Sequence, residues 1–229
     1  MIVRPAGNAV HLITQPDHAH LARTIMERCT TLADHARRQS ILHAIAEHDN
    51  GWTEEDSAPI VNPVSGHIAD FVGVPIEIRH RVWPRGVGRL ADPWAAALVA
   101  QHAITVYDRF RADQQWTSFF AEMAAMRDAR LSESRLSRDQ LVADYPFLRL
   151  GDLVSLAFCT ASAGEQRFGP WAVKLTDSRV AVTPAAFGGA VVDFEIVARE
   201  IPHRSFESDL ELRTALHHAV PRVLRGQVA

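Results

Sequence analysis

The hydrophobic pattern changes character near Gly164, and that change limits the architectures open to the chain. Before Gly164, apolar residues recur at helical spacing. Leu21, Ile25, Met26 and Leu32 carry a helix predicted over 16–36, opened by Thr14 with Pro16 and Asp17 behind it. A second helix is expected over 39–49, with Ile41, Leu42, Ile45 and Ala46 on one face and Asn50-Gly51 as its C-terminal stop. Helical patterns return at 76–90, 93–111, 115–131, 138–145 and 147–163, with joins at Asp92-Pro93 and Tyr145-Pro146. Between them, 52–75 holds Pro59, Pro63, Gly66, Gly73 and Pro75 and reads as a long irregular stretch of the kind that often covers a site. After Gly164, 171–175, 179–183 and 190–199 read as strands, followed by a helix over 207–219 capped by Ser205 or Ser208. A further short strand, 10–14, is expected to pair with 2–4. The expected fold is mainly α: a helical domain over 1–164 with a small antiparallel β appendage, including a last helix, packed on it over 165–229.

Composition narrows the function. With 24 Lys+Arg against 27 Asp+Glu, the 229-residue chain carries a net charge of −3, and Lys174 is its only lysine. It has no dense basic run, which argues against a nucleic-acid partner. No apolar stretch approaches the roughly 20 residues of a membrane span. Two cysteines, Cys29 and Cys159, are too few for a disulfide framework, so a reducing, cytoplasmic setting is the expectation. The unusual number is 12 histidines. Histidine is the commonest metal ligand.

The strongest local signal is Glu47-His48-Asp49-Asn50-Gly51-Trp52. Adjacent positions on a helix point about 100° apart, but at a helix end His48 and Asp49 can turn toward one ion. They can equally be polar residues before a glycine stop. Asp152 lies among Leu150, Leu153, Val154 and Leu156, where a charge requires a partner; its competing role is a helix N-cap after Gly151. His102 sits on an apolar helix, as a ligand or as a hydrogen-bonded core residue. His18 opens the first helix, and His80 lies at the start of another, as ligand or as surface residue. Ser155 lacks a nucleophile-elbow setting, and Gly86-Val87-Gly88 lacks the strand a dinucleotide turn requires. Of Arg79, Arg81, Arg85 and Arg89, Arg79 or Arg81 is the candidate to meet a substrate anion.

Taken in order, His18, His48-Asp49, His80, His102 and Asp152 resemble the HD-domain superfamily of metal-dependent phosphohydrolases. The chain also resembles, over nearly its whole length, a bacterial family of unknown function, number 3891. That likeness rests on Ile13-Thr14-Gln15-Pro16-Asp17-His18, on His48-Asp49-Asn50-Gly51-Trp52 with Asp56 and Pro59, on Gln101-His102, and on Asp152-Leu153-Val154-Ser155-Leu156. The resemblance implies an HD-like helical bundle in which His18, His48, Asp49 and Asp152 hold one metal. It further implies that Asp49 bridges to a second ion bound by His80 and His102, with Asp49 and His80 as catalytic residues. If His80 is not a ligand, the site is mononuclear or the second ion uses water or His67.

Mixed imidazole and carboxylate ligands suit a divalent transition metal such as iron, manganese, zinc or nickel, as one ion or two. The expected activity is hydrolysis of a phosphorylated or other anionic small molecule by metal-activated water. The same ligands also serve a di-iron oxygenase of the HD-like type, or a non-catalytic metal-stabilised sensor. A homodimer is compatible with this reading.

Overall fold

The N-terminal hairpin and the C-terminal strands form one sheet. The computed structural model describes residues 1–229. Strands β1 (Ile2–Ala6) and β2 (Ala9–Ile13) form a hairpin around Gly7, whose φ of +66° is a left-handed value that glycine adopts without strain. The remaining strands are β3 (Gln166–Phe168), β4 (Trp171–Thr176), β5 (Arg179–Thr183), β6 (Val192–Pro202) and β7 (Val220–Val228). The order across the seven-stranded sheet is β1-β2-β6-β7-β5-β4-β3, antiparallel except for β5 beside β7. The expectation of a mainly-α, HD-like bundle with a small β appendage is therefore wrong: the chain is 51% helix and 20% strand, in a mixed sheet. Two long-range pairings produce the difference. Ala9–Leu12 of β2 adds to Pro202–Arg199 of β6, and β7 inserts between β6 and β5 along nearly the whole length of β6.

The chain has eight helices: α1 (Gln15–Met26), α2 (Arg38–Glu47), α3 (Thr53–Ser57), α4 (Ile76–Arg89), α5 (Pro93–Val106), α6 (Thr117–Ser134), α7 (Arg138–Cys159) and α8 (Asp209–His217). Helices α1 and α7 join the sheet to the main helical layer, whereas α8 packs with Val10, Leu12 and Ile201 in a separate small core. Thr14, directly after β2, caps α1 by accepting the Asp17 N–H at 3.1 Å, so the sheet fixes where α1 begins. Helix α5 is apolar on every side from Trp94 to Ala100 and runs through the centre of the helical layer. Helix α7 begins at a capping box, with Ser137 and Gln140 bonded reciprocally, and continues through Pro146 to Cys159. It is one helix rather than the two expected. Its C-terminal half lies against the inward residues of the sheet, Val173, Val180, Phe194 and Ile196 among them, with Phe158 edge-on to Phe194 at 4.8 Å. Each such side chain taken out of water contributes about 1.5–3 kcal/mol. Both cysteines are free and buried in this core. No helix is long and apolar enough to cross a membrane.

Three glycines set how closely the helices meet. A Cβ on Gly51 would lie 1.9 Å from the Val82 carbonyl oxygen, and one on Gly86 would lie 2.7 Å from the Asn50 side chain. The turn after α2 thus runs directly against α4, and Gly51 serves close approach rather than the left-handed stop its sequence suggests. A Cβ on Gly151 would meet Met26 at 2.9 Å and Ile45 at 3.3 Å, so this glycine draws α7 onto α1 and α2 one residue before Asp152.

Candidate metal centre

Four helices bring five of the expected residues together. His18 lies in the first turn of α1, His102 on α5 and Asp152 in the middle of α7. His48 ends α2 with helical angles, and Asp49 leaves the helix at φ −111°, ψ 16°, which frees the two adjacent side chains from their 100° separation. All five are buried. Because α7 is continuous across residue 152, the N-cap role for Asp152 falls away. The entry of α1 is fixed further by Asp56, whose carboxylate accepts the Gln15 N–H at 2.5 Å and pairs with the Met1 ammonium.

Each of the three imidazoles is held by its Nδ1. That of His48 donates to the Ile45 carbonyl oxygen at 2.7 Å, that of His18 meets Ser155 Oγ at 2.8 Å, and that of His102 meets the Tyr145 hydroxyl at 3.1 Å. All three Nε2 atoms consequently face the two carboxylates. His18 Nε2, His48 Nε2 and Asp49 Oδ2 form a triangle with edges of 2.9, 3.2 and 3.5 Å. Donors about 2.1 Å from a single transition-metal ion stand roughly 3.0–3.4 Å apart, so this triangle fits one ion. His48 is shared with a second group: its Nε2 is 3.7 Å from Asp152 Oδ1, and His102 Nε2 is 3.5 Å from Asp152 Oδ2. Those separations are at or beyond the limit for hydrogen bonds. Anchored Nδ1 atoms with converging, underemployed Nε2 atoms are the arrangement of metal-ligating histidines, and the residues fit such an ion.

The two aspartates favour positive charge among these residues. Burial opposes charge on His48, yet Asp49 and Asp152 overcome it and raise its pKa to about 9. Burial dominates at His102 and lowers its pKa to about 3, leaving a neutral imidazole despite the attraction of Asp152. Burial would raise both aspartates, but His48 and the hydrogen bond from His18 hold Asp49 below the usual carboxylate value. Asp152 lies well below it because of Arg149, with which it is paired, and the neighbouring histidines.

His80 does not join either group. On α4 the cavity side belongs to Arg79 and Trp83, and His80, a step round the helix, packs between Phe119 at 5.2 Å and Trp116 at 4.8 Å. His67 lies beside His203, their rings tilted with centres 5.3 Å apart, next to Val3 and Val10 of the first hairpin. Glu54 and Glu55 on α3 pair with α4 arginines rather than with the centre.

The centre opens into a cavity of about 200 Å³, reached by Asp49, Asp152 and His102 and walled by Trp52, Trp83 and Tyr107. Phe71 and Val72 from the 52–75 stretch roof it, as expected of that segment. Arg79, Arg109 and Arg149 also line it. Arg109, Arg149, Tyr145, Tyr107 and Trp83 were not picked out from the sequence, and Ser155 was set aside as a nucleophile. Arg149 and Ser155 left a trace: three residues before and three after Asp152, they lie on the same face of a helix.

No curated protein and no solved structure matches the chain. The model of the family described as "Protein of unknown function (DUF3891)" matches residues 1–203, which include all five residues of the centre and the sheet as far as β6. The chain therefore belongs to the DUF3891 family.

Proposed function

We propose that the protein is a metal-dependent hydrolase acting on a phosphorylated or other anionic small molecule. The observation that carries this reading is the convergence of three Nδ1-anchored histidines and two buried aspartates on one end of an arginine-lined cavity. The order of these residues along the chain, which resembles that of HD-domain phosphohydrolases, supports it, although the helical-bundle fold does not accompany it. His18, His48 and Asp49 would hold a divalent transition ion, with His102 and Asp152 completing the site or holding a second. Such an ion supplies a Lewis acid that polarises a phosphoryl oxygen and acidifies water.

The chain's own residues supply the rest. Asp49 reaches the cavity with Oδ2 engaged by His18, which leaves Oδ1 to accept a proton from water. Arg149 neutralises Asp152 and stands beside the reacting end. Trp52, Trp83 and Phe71 exclude bulk water, which strengthens every charge interaction inside. His80, expected as a second-ion ligand and catalytic residue, has no part in this arrangement.

Incubation of the protein with manganese or ferrous ion and a panel of phosphomonoesters and phosphodiesters tests the proposal. Turnover should require the added ion, vanish with chelator and vanish in Asp49→Ala. An ion-loaded protein that hydrolyses none of the panel refutes the phosphoester form of the reading.

A further inference from the structure

Two arginines lining the cavity are neutralised by nothing in the chain. On α4, Arg81 pairs with Glu55 at 2.9 Å, Arg85 with Glu54 and Glu55, and Arg89 with Glu54 at 2.5 Å. Arg79, the α4 arginine that reaches the cavity, has no carboxylate partner; its guanidinium lies over Trp116 at 5.5 Å, and its buried Nε lacks an acceptor. The turn Asp108–Phe110 repeats the contrast. Arg111 is bound to Asp108 at 2.7 Å, whereas Arg109 lines the cavity and lies over Phe110 at 4.7 Å without a carboxylate.

The two free guanidinium groups share a support. Phe110 and Trp116 stack on each other at 4.9 Å and within 5° of parallel. A guanidinium resting on a ring keeps its N–H edges available for two oxygens of a carboxylate or phosphate. These cations are set apart from the metal centre. Trp83 is 5.7 Å from His102 and 6.1 Å from Tyr107, and Tyr107 is 4.6 Å from Trp116, so two aromatic rings separate the imidazole from the arginine support. The cavity's carboxylates, Asp49 and Asp152, are both at the histidine end.

We infer that Arg79 and Arg109 form a second anion subsite, and that the ligand is a small molecule with an anionic group at each end and a flat or apolar middle lying along Trp83 and Tyr107. The end at the histidines rests on the metal-dependent reading above; the arginine end does not. A cavity of about 200 Å³ is below the range typical of drug-sized ligands, which keeps the molecule small.

The test uses two non-hydrolysable probes, 4-phosphonobenzoate with two anionic groups and phenylphosphonate with one, titrated calorimetrically into metal-loaded protein. The two-group probe should bind about tenfold more tightly to the wild type. In the Arg79→Gln/Arg109→Gln double variant the preference should fall to about twofold or less, with metal content unchanged. Arg109 is exposed, so Arg109→Gln alone reports on the subsite without burdening the fold; it should lower the preference while leaving the affinity for phenylphosphonate intact. Equal binding of the two probes by the wild type, or a preference that survives in the double variant, overturns the subsite. A wild type that binds no metal but retains an arginine-dependent preference sinks the hydrolase reading and leaves the subsite standing.

Discussion

Helix α7 carries two buried aspartates about two turns apart, and they are used in opposite ways. Asp144 is saturated. Its Oδ2 accepts from Arg37 Nε at 2.6 Å and Trp94 Nε1 at 3.0 Å, and its Oδ1 accepts from Arg37 Nη2 at 2.8 Å, with His35 Nε2 at 3.3 Å. Asp152 has the Arg149 pair, and its remaining contacts are imidazole nitrogens at 3.5–3.9 Å. Both carboxylates are desolvated, but only Asp144 has its lone pairs answered by the chain. A buried carboxylate bonded to one arginine, with three imidazole nitrogens at or beyond bonding distance, marks room for something else. Asp144 therefore ties α7 to α5 and to the segment before α2, and Asp152 belongs to the candidate metal centre.

Four substitutions press on that contrast. Asp144→Ala should cost most, about 3 kcal/mol of stability in urea denaturation, because it strands the Arg37 guanidinium and the Trp94 N–H; metal content of the folded protein should not change. A loss under about 1 kcal/mol would mean that the network contributes little. Gly51→Ala forces a Cβ into the Val82 carbonyl and should cost about 2 kcal/mol. Unlike Asp144→Ala, it should also reduce metal binding, because the displaced turn carries His48 and Asp49; normal metal uptake would disconnect the turn from the centre. Asp152→Asn keeps the shape but removes the charge, and should lower metal affinity roughly 10–100-fold with little change in the melting temperature of chelator-treated protein. Affinity equal to wild type would place Asp152 with Asp144 as a structural residue. Ser155→Ala, which removes the His18 anchor, should give the smallest effect, about tenfold in metal affinity; an unchanged affinity would show that packing alone orients His18.

Much of the centre was legible in the sequence because its residues are unusual where they stand: a His-Asp pair at a helix end, a histidine and an aspartate in apolar helices, and a histidine just behind a helix cap. The cap at Thr14, the first hairpin and strands β4 to β6 were legible too, from local periodicity. The sheet as a whole was not. Strand β7 reads Val-Pro-Arg-Val-Leu-Arg-Gly-Gln-Val, whose proline, glycine and two arginines break the alternation, and it is recognisable only beside β6. The pairing of β2 with β6 joins residues nearly the whole chain apart and leaves no local signal. Asp152 resembled a helix start because Gly151 and Pro146 look like breakers. In the structure the glycine serves contact with Met26 and Ile45, and the helix absorbs the proline. His80 was misplaced for a related reason: its residue type suggests a ligand, but the side of α4 it occupies is set by tertiary packing. Of the cavity arginines, Arg79 was legible as a candidate for an anion, while Arg109 and Arg149 carry nothing local that separates them from the many other arginines.

The most direct test is the metal content of the protein itself. Chelator-treated wild type and His48→Ala, reloaded with ferrous, manganese or zinc ion and passed through a desalting column, should be compared by elemental analysis. The wild type should retain about one or two ions per chain, and His48→Ala, folded to the same extent, should retain almost none. A wild type that emerges without metal, or a His48→Ala protein that retains as much, would contradict the assignment of this centre.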